Sequence, residues 1–354
     1  MTVLRLFSVK AIPVITLAFL MGMSACSKED LAISPVDFTK VQVQDAFWTP
    51  RMETNREVTI PYDFQKCEET GRISNFAKAG GLMEGEFEGI YYNDSDVYKV
   101  IEGASYSLAI AYDEKLDHYL DELISKIAAA QWDDGYLNTY YTLVEPEKRW
   151  TDMKWRHELY CTGHLFEAAV AHHQATGKRT LLEVAVRLAD HIDSVFGPDR
   201  LREVPGHEEI EIGLARLYRA TGEVSYLELA TFFLDERGNP EGHELYGEYC
   251  QDHKPVVEQD EVVGHAVRAG YLYSGMADVA ALTGEKEYVK ALDRIWENIV
   301  SKKLYITGGI GARRDREGFG DDYELPNATS YNETCAAIAF AMWNYRMFLL
   351  HRDA

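Results

Sequence analysis

Basic residues, cysteines and strand-like runs are all scarce in this chain of 354 residues. Lys and Arg number 36 against 58 Asp and Glu, a formal net charge of −22. Such a balance repels phosphate backbones and anionic lipid, which excludes nucleic acid and an anionic membrane surface as partners. Neutral, hydroxyl-rich ligands stay compatible. The cysteines number 5, widely spaced and never adjacent, so no small disulfide-stapled scaffold is encoded. Cys67, Cys161, Cys250 and Cys335 form an even set that permits two disulfides, but a chain this large needs no staples and chemistry is the better question to ask of them. No apolar run reaches the ~20 residues of a membrane-spanning helix.

What is present starts with a leader. Residues 1–25 carry Arg5 and Lys10, then the apolar AIPVITLAFLMGM, then small residues before Cys26. A basic start, a short apolar core and small residues before a cut read as a secretory signal. A cysteine at that point resembles the bacterial lipoprotein signal, with Cys26 as the lipidated first residue of an outer-membrane lipoprotein facing the periplasm or the cell surface. Residues 26–40 are polar and read as a tether. Residues 41–354 are expected to form the folded domain, with 46% hydrophobic and 12% aromatic residues over the whole chain arguing against disorder.

VQVQDAFW alternates apolar and polar residues and predicts a short strand. From Val97 onward, by contrast, apolar residues recur at i, i+3, i+4 and i+7. About nine helices follow in pairs, ending with one over 331–350. Thr176-Gly177, Thr221-Gly222 and Thr283-Gly284 predict three helix ends with a left-handed glycine cap. Gly163-His164, Gly206-His207 and Gly264-His265 recur near the starts of the same helices. Helix pairs repeating at this interval predict an all-α solenoid or an (α/α) toroid of helical hairpins. In a toroid the three imidazoles would surround one pocket.

Polar and Gly-rich sequence is densest over residues 306–335, ITGGIGARRDREGFGDDYELPNATSYNETC. A loop this long in a compact domain is functional or disordered, and Phe319, Tyr323 and Tyr331 argue against disorder. Two chemistries compete. Glu317 with Asp321, Asp322 or Glu324 would give the paired carboxylates of an ordinary glycosidase. Alternatively Glu333 and Cys335, two residues apart at a helix start, offer a carboxylate and a thiolate to one Zn2+.

TGGIG, EGFGDDYELPN and YNETCAAIA closely resemble the family 127 glycoside hydrolases, typified by β-L-arabinofuranosidases, with family 146 a near relative. FWTPR, GRISNF, DSDVYKVIEGASY, QWDDGYLNTYY, HELYCTGHLFEAAVAHHQATGK and GHAVRAGYLYSG extend the resemblance from about Val41 to the end of the chain. It implies an (α/α)6 barrel followed by β-sandwich domains, a retaining mechanism on arabinose-containing oligosaccharides or plant glycans, a zinc-bound cysteine nucleophile and a glutamate acid/base. Glu317 matches the acid/base, Glu333 and Cys335 match two of four zinc ligands, and His164, His207 and His265 resemble the pocket histidines that hold the sugar. The family's other two ligands, the nucleophile among them, come from an adjacent Cys-Cys pair further downstream, and this sequence stops at Ala354 without one. The expectation is therefore a toroid incomplete at its C-terminus, inactive alone, with an apolar seam exposed. Two other readings stay open: a sugar epimerase or polysaccharide lyase on a similar toroid, using His and Tyr for proton transfer, and a surface sugar-binding lipoprotein without catalysis.

Overall fold

The computed structural model describes residues 31–352. The signal segment and the lipidation site at Cys26 lie outside them. Among the described residues there are thirteen α-helices and no strand, only isolated bridges. None of these helices is long and apolar enough to cross a membrane.

The expected strand in VQVQDAFW does not form. Its residues are exposed and face no partner strand, and the Asp45 carboxylate accepts the backbone N–H groups of Phe47 (2.8 Å), Trp48 and Thr49 (3.3 Å), starting a helix instead. That helix, α1 (Trp48–Thr54), continues through a π turn into α2 (Ile60–Glu69), and α3 (Arg72–Ala79) follows. Three further helices lie in the next stretch: α4 (Asp94–Ile110), α5 (Glu114–Ala129) and the short α6 (Thr139–Leu143).

Hairpins come next. α7 (Glu158–Thr176) pairs with α8 (Thr180–Val195), α9 (Ile210–Thr221) with α10 (Val224–Glu236), and α11 (Ala266–Thr283) with α12 (Lys286–Asn298). The last helix is α13 (Thr334–His351). α4 packs on α7, α7 on α9, α9 on α11 and α11 on α13, which makes an inner arc, while α5, α8, α10 and α12 back it from outside. This is the α/α toroid-type fold. Outer helices bury one stripe, as in α5 with Leu120, Leu123, Ile124 and Ile127. Inner helices are covered on nearly every side, which is why α11 is buried almost continuously from Ala266 to Leu282.

The Thr-Gly pairs end the inner helices as expected. Gly177, Gly222 and Gly284 have φ of 74°, 76° and 74°. In each case the preceding threonine donates its hydroxyl to the carbonyl four residues back, at 2.7–2.8 Å, and accepts the N–H two residues on. One motif thus stops the helix and starts the return three times.

Close approach of the inner helices requires small residues. A Cβ on Gly213 of α9 would sit 2.7 Å from the Gly163 carbonyl oxygen of α7, against backbone that has no rotamer to yield. Gly213→Ala should cost about 1–3 kcal/mol by pushing α7 and α9 apart. An unchanged urea midpoint would show that the crossing tolerates a methyl group. On α13, Ile338, Tyr345 and Phe348 are exposed.

Candidate functional site

One cavity of about 1710 Å3 runs along the inner helices, from their N-terminal ends as far as Ile110, Gln174, Ala281 and Leu349. His265 is the N-cap of α11: its Nδ1 accepts the N–H groups of Val267 and Arg268 at 3.2 and 3.3 Å. The proton is thereby fixed on Nε2, which donates to Glu317 Oε2 at 3.0 Å. Burial, then the Arg268 charge, pull this imidazole down to about 4, so it is neutral at physiological pH.

A short ladder places Glu317. Gly318 pairs with Arg313 and with His265, and Phe319 N–H donates to the Gly264 carbonyl at 2.9 Å. Gly264 has φ of 71°, and a Cβ there would lie 1.9 Å from the Glu248 carbonyl oxygen, so only glycine fits. Arg316 and Glu317 themselves have φ of 55° and 52°, a left-handed pair of non-glycine residues of the kind that concentrates at functional sites. Tyr331 donates to Glu317 Oε1 at 2.7 Å. That bond first, opposed by partial burial and then aided by His265, holds the carboxyl below its ordinary value. The backbone N–H groups of Tyr331 and Asn332 reach the Ala312 and Gly311 carbonyls, which brings the start of α13 to the same rim.

Glu333 is the N-cap residue of α13, and its carboxylate comes within 4.8 Å of donors on His265 and Glu317. One of its oxygens is buried without a partner. Cys335 lines the same cavity, and burial followed by the neighbouring Glu333 carboxylate push its thiol up. The two residues singled out for zinc therefore lie side by side next to Glu317. Among the described residues no further thiol joins them. Cys161 points at the Tyr92 carbonyl (3.7 Å), Cys250 lies under Arg268 (3.2 Å), Cys67 is on the buried face of α2, and these three and Cys335 are free rather than paired in disulfides. Glu333 and Cys335 alone make half of a tetrahedral donor set, and the other donors near Glu333, on His265 and Glu317, are bonded to each other.

The alternative carboxylate pair does not assemble. Glu324 is held by Arg313 (2.5 Å) and pulled down to about 2, first by that hydrogen bond; Asp321 shares the same arginine and Asp322 pairs with Lys302 (2.7 Å). None of the three lines the cavity.

His164, His207 and His265 all line the cavity, but in different ways. His207 donates from Nδ1 to the Glu208 carbonyl (2.9 Å), leaving Nε2 as an acceptor, and burial holds it neutral. His164 lies inside α7, edge-on to Tyr160 with ring centroids 4.6 Å apart, and its Nδ1 is 3.3 Å from Glu209. Beneath it Glu209, pushed well up by burial and by Glu167, faces a Glu167 carboxylate that Arg216 keeps ionised at 2.7 Å. The residue equivalent to His265 on α7 is His157, the helix's N-cap. Its Nδ1 donates to the Trp155 carbonyl at 3.0 Å, its ring lies 5.4 Å from that of His207, and burial pulls it down to about 3. Sequence reasoning missed His157 by following the Gly-His repeat; its place immediately before the helix was the available signal. Arg268, Tyr160 and Tyr331 were missed too. The result is a concave site with two neutral imidazoles offering lone pairs, one carboxyl gripped on both oxygens, and a carboxylate–thiol pair beside it.

Residues 40–354 match the β-L-arabinofuranosidase GH127 catalytic domain. A non-reducing end β-L-arabinofuranosidase of Bifidobacterium longum subsp. longum is 36% identical, over 87% of this chain and 53% of that protein. The solved structure of a GH127 β-arabinofuranosidase is similar with a TM-score of 0.87 and 52% identity, covering 92% of this chain and 52% of that one. Another, a GH127 β-L-arabinofuranosidase from Geobacillus stearothermophilus T6, has a TM-score of 0.85 and 41% identity, covering 88% and 53%. The chain thus spans about half the length of these relatives.

Proposed function

Because this chain belongs to glycoside hydrolase family 127, we propose that its cavity binds a terminal β-L-arabinofuranosyl unit of an arabinose-containing glycan and carries the acid/base half of a retaining hydrolysis. The observation that carries this reading is the Glu317 carboxyl held between Tyr331 and His265 at the mouth of the cavity.

His157 and His207 accept sugar hydroxyl protons through Nε2, which their backbone partners leave free. Glu317 serves the glycosidic oxygen. Its Oε2 accepts from an imidazole that has only a proton to offer, so the transferable proton belongs on Oε1. Tyr331 and His265 both donate to Glu317 and favour its carboxylate, the form that takes a proton from water; to serve the leaving oxygen first, the carboxyl must gain a proton on Oε1 as a bound glycan shuts it off from water. Glu333 and Cys335 would contribute a carboxylate and a thiolate to Zn2+, which when bound keeps a thiol ionised at neutral pH. Two more donors are needed to complete that set, and the described ones nearest to Glu333, on His265 and Glu317, are bonded to each other.

The expected result for purified residues 26–354 is therefore sugar binding without turnover. Calorimetry with methyl β-L-arabinofuranoside should show binding that Glu317→Gln retains, while 4-nitrophenyl β-L-arabinofuranoside should release no nitrophenol above background. Sustained release would overturn the need for further donors; absence of any binding would overturn the functional reading. Anchoring through a lipidated Cys26 at the outer membrane belongs to the same proposal and rests on the leader's sequence.

A further inference from the structure

From Glu317 the cavity wall continues as a row of rings. Glu317 bonds His265, the His265 ring meets Tyr249 edge-on at 5.6 Å, and Tyr249 meets Trp155 at 6.1 Å with a 38° tilt. Arg268 covers one face of Tyr249 at 4.5 Å. The indole of Trp155 is different: it lines the cavity, yet 51% of the residue is exposed.

The backbone that carries this tryptophan is fixed. Its main-chain N–H donates to the Asp152 carboxylate at 3.0 Å, and its main-chain carbonyl takes the His157 proton at 3.0 Å. The same turn is pinned to the loop before α9, where Gly206 N–H donates to the Met153 carbonyl at 2.7 Å. A Cβ on Gly206 would fall 1.9 Å from the Lys154 carbonyl oxygen, so the two loops touch through backbone. The backbone position of the indole is thus set before any ligand arrives, and the main-chain carbonyl of Trp155 also sets the tautomer of His157 in the deeper site.

We propose that Trp155 is the platform of a second sugar-binding position, on the leaving-group side of Glu317, that takes the apolar C–H face of the next ring of an oligosaccharide. This rests on the functional reading above. An acid that protonates the glycosidic oxygen has the departing ring on its own side, and the rings beyond His265 extend the cavity wall from that acid. Sugar rings carry their C–H bonds on one face, and an indole on a fixed backbone receives such a face with less ordering to lose.

Calorimetry on the full chain tests it with two probes, methyl β-L-arabinofuranoside and a β-L-arabinofuranosyl disaccharide. The unaltered chain should bind the disaccharide about tenfold more tightly. In Trp155→Ala that preference should vanish, with the methyl glycoside weakened less than about twofold, and Trp155→Phe should keep most of it. Equal affinity of the unaltered chain for both probes, or a preference that survives in Trp155→Ala, overturns the second position alone. Failure of the unaltered chain to bind either probe overturns the functional reading and this position with it.

Discussion

Replacing Arg237 with methionine is expected to cost about 3–5 kcal/mol of stability, read as a fall in the urea or thermal midpoint. The guanidinium is fully buried, 3.0 Å from Glu208 and 3.6 Å from Glu211, and donates to the Cys250 and Pro205 carbonyls at 2.9 Å each. Methionine fills the volume and supplies none of these partners, so two carboxyls and two carbonyls would be left in a place water does not reach. The loss should be smaller at pH 6 than at pH 8, because Glu208, pushed up to about 8 by burial against the pull of Arg237, can neutralise itself by taking a proton. Adding Glu208→Gln and Glu211→Gln should restore part of the stability. A loss below about 1 kcal/mol in the single variant would mean that the cluster relaxes around the gap.

The second large effect is on pH. Between pH 7.5 and 8.5 the chain should become less stable as pH rises. Burial raises Glu102 and Glu158 to about 7 and Glu208 to about 8, Glu102 with help from the Glu167 charge. Unfolded, each would titrate near its ordinary value well below this window and be fully ionised across it. The folded state therefore binds more protons than the unfolded state, and stability falls until each folded value is passed, by on the order of 1 kcal/mol in total. Histidines contribute little there: those that burial pulls down, among them His157 to about 3 and His265 to about 4, are neutral when folded, and a pH unit above their ordinary value they are nearly neutral when unfolded. Below pH 7.5 the two sets oppose each other, because the unfolded histidines take up protons that the folded ones refuse. Thermal midpoints measured from pH 7.5 to 8.5 check the sign. A rising profile would mean that these carboxyls are ionised in the folded chain, and Glu208→Gln should flatten the upper part of the fall.

How much of this was legible in advance differs by region. The three Thr-Gly stops were readable because the information is local: a hydroxyl, a glycine and the end of an apolar pattern. Outer helices were readable for the same reason, since one face is wet. The stretch from Trp48 to Ala79 was not, because its helices start from an aspartate turn and a π turn rather than from clear periodicity, and because alternation in VQVQDAFW imitates a strand that has no neighbour to pair with. At the site, Glu317, Glu333 and Cys335 were found as motifs. Their shared rim depends on backbone bonds from Tyr331 and Asn332 to Gly311 and Ala312 that no spacing rule contains. His157 and Arg268 gain their importance from position alone, one as a helix cap and the other as a charge turned inward beneath Tyr249.

The repeated cap has a consequence for how such a protein can change. Inner helices return to outer ones through turns a few residues long, at Thr176–Thr180, Thr221–Val224 and Thr283–Lys286, all at the end of the hairpins opposite Glu317 and the N-caps His157 and His265. Outer helices return to inner ones through long segments, and these carry His207, Trp155, Tyr249 and Glu317. Architecture is written at one end and chemistry at the other. Insertions and exchanges in the long segments can therefore alter which sugar is held while the short turns keep the hairpins in register, so specificity can drift without renegotiating the fold.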